Sequence, residues 1–118
     1  MCAAPKTPHY SLDEVKRLVA AGAFDVMKGR GLSLLVPPMT YEAALGFVSA
    51  AIQLLTADNF HATVKLTYDV ADEYGINIEG TGWYIKVYID RDVPEVVVIS
   101  FHPPERPLRV KAGLVKPP

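Results

Sequence analysis

Hydrophobic residues recur at two different spacings along the chain, and the change of spacing divides it into a helical part and a strand-rich part. In the first part, apolar residues return every three or four positions, as on one face of an α-helix. From residue 61 they alternate with polar residues, which is the period of a half-buried β-strand. The pattern predicts an α+β domain with two helices packed on one face of a small antiparallel β-sheet.

The first predicted helix spans residues 12–21. Ser11 and Glu14 have the spacing of a capping box, in which the serine hydroxyl accepts a backbone N–H and the glutamate turns back to the cap. Gly22 suits the left-handed residue that follows a helix. Thr40 is predicted to cap a second helix. The apolar stripe expected on that second helix consists of Tyr41, Leu45, Val48, Ile52 and Leu55.

Between the two helices, the pattern predicts irregular structure with one short strand. Residues 28–31 have the glycines and cations of a basic turn-like loop, and residues 32–36 form an apolar run that fits a short strand. Pro37 and Pro38 would end that strand.

Three strands are predicted after residue 61, and the last two are close enough in sequence to form an antiparallel hairpin. On the last strand, Val97, Ile99 and Phe101 are expected on the apolar side. The opposite face of the three strands would present polar and aromatic side chains. These are His61, Thr63, Lys65, Tyr84, Lys86, Tyr88, Ser100 and His102.

That polar face has two interpretations. Cations hold phosphates and aromatic rings stack on unpaired bases, so the face could bind RNA. The same residue types are also ordinary on the solvated side of a half-exposed sheet. Patterning leaves both interpretations open.

The composition fits a single domain without covalent or metal staples. The chain has 118 residues, of which half are hydrophobic and 21% are charged, and its mean hydropathy is +0.17. Cys2 is its only cysteine, which excludes a disulfide scaffold and a cysteine-based zinc site. We expect a domain over residues 1–102, followed by a basic, proline-rich tail over residues 103–118. With no leader peptide or membrane span visible, we expect a cytoplasmic protein. The three histidines and the scattered carboxylates lack metal-ligand spacing, so we expect no metal and no other cofactor.

The charge is unevenly distributed. Residues 37–101 carry three Lys/Arg against nine Asp/Glu, whereas residues 102–118 carry four against one. A uniformly basic nucleic-acid-binding protein would not have this distribution. Any RNA site must therefore be a local basic patch.

Residues 7–22 have the sequence TPHYSLDEVKRLVAAG. This segment resembles the opening of the MqsR family, whose members are toxins of bacterial toxin–antitoxin pairs and begin T-P-H-x-x-L-x-x-V-K-K-L-V-x-A-G. The resemblance resumes over residues 46–61 and again at residues 84–86 and 98–101. It implies a RelE-like fold and a ribonuclease that cuts messenger RNA without metal. It also implies a cognate antitoxin that blocks the toxin.

The chain departs from the family at positions that matter for chemistry. His61 and His102 stand where the family has lysines, while Tyr84 matches a family tyrosine. A family glutamine falls within residues 70–74, where this chain offers Asp72 or Glu73 instead. Either the chemistry is rebuilt around histidine, or the domain is a catalytically inactive RelE-like module that binds a partner protein.

Metal-free RNA cleavage requires a base for the 2′-hydroxyl, positive charge at the phosphate, and an acid for the leaving 5′-oxygen. Imidazole serves as either base or acid near neutral pH, so His61 and His102 are the candidate pair. Tyr84 would donate to the phosphate or orient the nucleophile. The candidate RNA-binding residues are Lys65, Lys86, Tyr88 and Arg106. The products would be a 2′,3′-cyclic phosphate and a 5′-hydroxyl.

Overall fold

Two α-helices and two sheets account for most of residues 7–118, the part of the chain described by the computed structural model. The helices are α1 (Leu12–Ala20) and α2 (Tyr41–Leu54), and 3₁₀ turns lie at Leu32–Leu34 and Ala57–Asn59. The strands are β1 (Phe24–Arg30), β2 (Phe60–Lys65), β3 (Val70–Ile78), β4 (Thr81–Asp90), β5 (Glu95–His102), β6 (Leu108–Val110) and β7 (Gly113–Val115). Within this part of the chain, no helix is long and apolar enough to cross a membrane.

Helix α1 begins and ends as its sequence predicts. The Ser11 hydroxyl accepts from the Glu14 backbone N–H at 3.2 Å, and Gly22 follows the helix with a φ of +79°. The Glu14 side chain does not turn back to the cap. Its carboxylate accepts from Arg91 at 2.9 Å instead, because the turn after β4 brings this arginine to the start of the helix.

Helix α2 is capped by Thr40, whose hydroxyl accepts from the Ala43 N–H at 3.1 Å. The predicted apolar stripe is correct at Val48, Ile52 and Leu55, which are all buried. It is wrong at Tyr41, which is 55% exposed. The buried stripe starts about one turn later, at Ala44, whose small side chain lets the helix approach the core closely.

The main sheet has the strand order β1-β5-β4-β3-β2. Its neighbours are antiparallel except for β1, which pairs in parallel with β5. The antiparallel pairing predicted for the sheet is confirmed for the three predicted strands, which correspond to β2, β4 and β5. Strand β3 is not among the predicted strands, and β1 is parallel to its neighbour.

The segment between the helices differs most from expectation. Residues 28–30, predicted as a loop, form the end of β1, and residues 32–36, predicted as a strand, contain a 3₁₀ turn. Leu32 and Leu35 are both buried. Their spacing of three matches one turn of a 3₁₀ helix, which places both side chains on the same side.

Both helices contribute to the core on one face of the sheet. Tyr74, Ile85 and Phe101 are fully buried there, in register across β3, β4 and β5. Tyr74, Ile85 and Phe101 belong to the same hydrophobic cluster as the buried residues of α1 and α2. The prediction that two helices pack on one face of the sheet is confirmed.

The main sheet has three register shifts, and the one in β1 lies between Val26 and Arg30. The other two change which predicted side chains share a face. One lies in β2 between Phe60 and Ala62. The other lies in β5, where Ile99 is an extra residue between the partners of Lys86 and Val87 on β4. The shift in β5 moves Val97 to the outer face, opposite Tyr88, so its predicted place beside Phe101 is wrong. Strict alternation cannot anticipate a bulge.

The shift in β2 turns Thr63 and Lys65 away from the face of His61. Thr63 is in register with Asp72, whereas Ala62 is in register with Glu73. Neighbouring positions on β3 point to opposite faces, so the two pairs lie on opposite sides of the sheet.

Residues 103–118, expected as an extended tail, instead contain the antiparallel hairpin β6–β7. Val110 and Val115 are buried. The hairpin packs on the outer face of the sheet, where Gly75 and Gly82 leave room for it. A Cβ on Gly82 would lie 2.5 Å from the backbone oxygen of Lys116.

The Asp72 carboxylate connects the N-terminal segment to the sheet. It is fully buried and accepts from the backbone N–H of His9 at 2.9 Å and of Tyr10 at 2.8 Å. The Thr63 hydroxyl donates to the same carboxylate at 2.5 Å. These three donors offset the cost of burying the carboxylate.

We expect Asp72→Asn to lower the free energy of unfolding by about 1–3 kcal/mol, because the amide NH₂ would face a backbone donor. Urea denaturation followed by circular dichroism measures this change. Asp25→Asn, at an exposed position on β1, is the matched control. Equal unfolding midpoints for the two variants would contradict the structural role given to Asp72.

We expect Gly82→Ala to destabilise the protein by about 1–3 kcal/mol, because the added methyl group meets backbone of the C-terminal segment. Limited trypsin digestion should then cut at Arg109 and Lys111 sooner than in the wild type. Gly29→Ala is the control, since a Cβ there meets nothing within 4 Å. Unchanged digestion of the Gly82 variant would show that the hairpin does not depend on this contact.

Candidate active site

A cleft of about 470 Å³ lies on the outer face of the sheet, beside the C-terminal hairpin. One wall is formed by β3, β4 and β5, and the other by residues 103–107, here called the strap, together with the start of β6. The charged and polar side chains that line the cleft are Arg30, His61, Glu73, Tyr84, Lys86, Ser100, His102, Glu105 and Arg106.

Strand register brings most of these residues together in two adjacent rows. Glu73, Lys86, Ser100 and Arg30 are register partners across β3, β4, β5 and β1. The next row contains Gly75, Tyr84 and His102. Register partners share a face, so every side chain in both rows points to the cleft. The glycine has no side chain, and Leu108 of the hairpin packs above it.

The His102 imidazole is held at both ring nitrogens. Its Nδ1 lies 2.7 Å from the backbone oxygen of Pro103, and its Nε2 lies 3.3 Å from Arg30 Nη2. A carbonyl can only accept and a guanidinium can only donate. The two contacts together fit the neutral tautomer with the proton on Nδ1 and a lone pair on Nε2. The residue is only 6% exposed.

His61 enters the cleft because the register shift in β2 falls at its position. Its Nδ1 lies 3.0 Å from the backbone oxygen of Arg109 on β6, to which it donates. The C-terminal segment therefore supplies a carbonyl partner to each of the two cleft histidines. Such a partner fixes the orientation of an imidazole ring.

Tyr84 donates its hydroxyl hydrogen bond to the Glu73 carboxylate. Burial, together with that hydrogen bond, raises the pKa of Tyr84 well above its ordinary value of about 10. Tyr84 therefore remains a protonated donor throughout the neutral range. Its ring lies 5.2 Å from that of His102, between centroids, and tilted by 41°.

Among the predicted site residues, the structure brings His61, Tyr84, His102, Lys86 and Arg106 into this cleft. The remaining two lie elsewhere. Lys65 is on the other side of β2 after the register shift. Tyr88 shares the outer face but packs its ring against Tyr68, with centroids 5.7 Å apart, in a separate hollow.

Sequence reasoning missed Arg30 and Glu105 and left Glu73 as one of two alternatives. Arg30 reaches the cleft through the parallel pairing of β1 with β5, which joins residues 72 positions apart. Glu105 sat in the segment expected to be an extended tail. The choice between Asp72 and Glu73 follows from period-2 alternation: Asp72 shares the buried face with Tyr74, and Glu73 faces outward.

Within residues 7–118, no group of three or more His, Cys, Asp and Glu side chains is arranged to hold a metal ion. The cleft instead combines three Lys/Arg side chains, two carboxylates, two imidazoles and one phenol. This set can bind an anion and transfer protons.

No protein-family model matches the chain, and a search of curated proteins finds no significant match. The similarity to the MqsR family stays a prediction from the quoted motifs. Function must therefore be inferred from the residues of the cleft.

We expect Tyr84 to resist ionisation in the folded protein. The folded state holds its proton more tightly than the unfolded chain, so this stabilising contribution is present below about pH 10 and is lost as the pH rises further. The ultraviolet absorbance of phenolate, compared between wild type and Tyr84→Phe, measures this ionisation. The difference should appear at higher pH in native protein than in urea-unfolded protein. Coincident titrations would contradict the assigned burial and hydrogen bond.

Proposed function

We propose that this protein is a toxin of a toxin–antitoxin pair, similar to the MqsR family and with a RelE-like fold. It would cut messenger RNA as a metal-independent endoribonuclease, inhibiting translation and growth. The observation that carries the proposal is the convergence of His61, Tyr84 and His102 with three Lys/Arg side chains in one cleft. A phosphodiester needs this combination of proton transfer and positive charge.

His102 is the proposed general base. Its contact with Pro103 directs the Nε2 lone pair toward Arg30 and the cleft. Nε2 would take the proton of the ribose 2′-hydroxyl while that oxygen attacks the adjacent phosphorus. The Arg30 guanidinium, which contacts Nε2 here, would turn to the phosphate oxygens.

His61 is the proposed general acid. In its protonated form it would pass a proton to the 5′-oxygen as the bond from phosphorus to that oxygen breaks. The Arg109 carbonyl would hold the Nδ1–H and keep the ring oriented during this transfer. The products are a 2′,3′-cyclic phosphate and a 5′-hydroxyl, so atoms and charge balance without a co-reactant.

The remaining cleft residues support the developing charge. Lys86 lies between Glu73 and Ser100 in the first row, where its ammonium can approach the phosphorane oxygens. The Tyr84 hydroxyl, which donates to Glu73 in this structure, would turn to donate to the phosphate. Arg106 on the strap extends the positive surface for the RNA backbone.

The cleft draws its cations from three parts of the chain. Residues 37–101, which supply most of the sheet, carry nine Asp/Glu against three Lys/Arg. Arg30 and Arg106, from outside that acidic section, join Lys86 in the cleft, which favours a phosphate there over the rest of the acidic section. A cognate antitoxin would block the toxin by covering this cleft.

We expect purified protein to cleave a long mixed-sequence RNA in excess EDTA, leaving cyclic-phosphate and 5′-hydroxyl ends. His61→Ala and His102→Ala should each reduce the rate about 10²- to 10⁴-fold, the usual contribution of a positioned acid or base. His9→Ala is the control, because it keeps the backbone N–H that binds Asp72. Mapping of the product ends tests the mechanism, and growth arrest on expression tests the cellular activity.

Two results would count against this function. Cleavage that survives both cleft-histidine substitutions would overturn the assigned roles. Intact RNA, with and without translating ribosomes, would favour a catalytically inactive RelE-like module that binds a partner protein.

A further inference from the structure

We propose that Arg30 and His102 form a subsite for one phosphodiester group of the substrate, and that the Glu105 carboxylate occupies this subsite in the unliganded protein. Glu105 would act as an internal mimic of the phosphate that RNA must displace. This inference rests on the proposed function, which it deepens by assigning a phosphate position.

The contacts at Arg30 carry the argument. A single guanidinium nitrogen, Nη2, lies 2.5 Å from Glu105 Oε1 and 3.3 Å from His102 Nε2. The carboxylate oxygen and the nitrogen proposed as general base therefore share one guanidinium nitrogen as their partner. A phosphate oxygen bound to the same guanidinium would place its phosphorus next to that base, as attack by the 2′-oxygen requires.

The carboxylate is bound as an anion, yet it is easily replaced. The hydrogen bond from Arg30 lowers the pKa of Glu105, so the carboxyl is ionised at neutral pH. Both side chains are largely exposed, at 60% for Arg30 and 74% for Glu105. Exposed ion pairs of this kind contribute little to stability, so exchanging the carboxylate for another anion costs little. A phosphodiester offers the same single charge and two oxygens for the guanidinium fork.

The strap itself is fixed, so the displacement requires only side-chain rotation. Pro103 at one end accepts from the His102 ring, and Leu108 at the other end packs over Gly75. Prolines at three of the five strap positions restrict its backbone. Glu105 can turn outward to solvent while both walls of the cleft stay in place.

Binding of a 2′-O-methyl RNA oligonucleotide tests this subsite without cleavage, because the nucleophilic hydroxyl is blocked. Fluorescence anisotropy at one low salt concentration would compare wild type, Arg30→Gln, Glu105→Gln and the double variant. Glu14→Gln is the matched control. It removes the same charge and breaks another exposed Arg–Glu contact, at 2.9 Å to Arg91, outside the cleft.

We expect Glu105→Gln to tighten binding about two- to fivefold and Arg30→Gln to weaken it about tenfold or more. In the Arg30→Gln background, Glu105→Gln should bring no gain, because Glu105 competes for that guanidinium. Glu14→Gln should leave the affinity nearly unchanged.

Three results would overturn the inference. These are equal tightening by Glu105→Gln and Glu14→Gln, a gain from Glu105→Gln that persists without Arg30, or no binding by any variant. Cleavage of unmodified RNA is scored separately. If the four affinities follow the expected pattern but no RNA is cleaved, the phosphate subsite stands and the ribonuclease function is contradicted. If RNA is cleaved but the four affinities are equal, the ribonuclease function stands and the subsite is contradicted.

Discussion

Packing of the C-terminal hairpin against Gly75 and Gly82 determines where the cleft lies and what lines it. Leu108 and Val115 occupy the space that side chains at these two positions would fill. The hairpin then turns a flat outer sheet face into a two-walled groove. Its backbone also supplies the Arg109 carbonyl that orients His61.

The strap that leads into the hairpin contributes to the electrostatics of the cleft. It adds Arg106 to the cations from β1 and β4, and it adds Glu105 as a counter-charge for Arg30. The carboxylate of Glu73, which faces the cleft, accepts the Tyr84 hydroxyl. The three Lys/Arg side chains of the cleft outnumber its two carboxylates, so the cleft carries a small excess of positive charge beside two imidazoles.

Local patterns were sufficient where a structure depends on neighbouring residues. The Ser11 and Thr40 caps, the turn at Gly22 and the alternation along β4 all follow from such patterns, and each is confirmed. The outward pair Tyr84 and His102 followed from the same alternation. Prediction failed where long-range pairing decides the outcome.

The clearest failures are β1 and the two bulges. Whether residues 28–30 extend a strand depends on β5, which lies about 70 residues later, and no local pattern encodes that partner. A bulge adds one residue without changing composition, so Lys65 and Val97 were assigned to the wrong faces. The hairpin was missed because prolines dominate its flanks, although residues 108–115 retain the alternation of a short strand pair.

The placement of both carbonyl partners after β5 ties the two imidazoles to the main chain of the C-terminal segment. The Arg109 and Pro103 contacts are made by backbone oxygens, so they do not depend on which side chains stand at positions 103 and 109. The path of the backbone matters instead. A chain cut after His102 would keep both imidazoles but would lose these two oxygens together with one wall of the cleft.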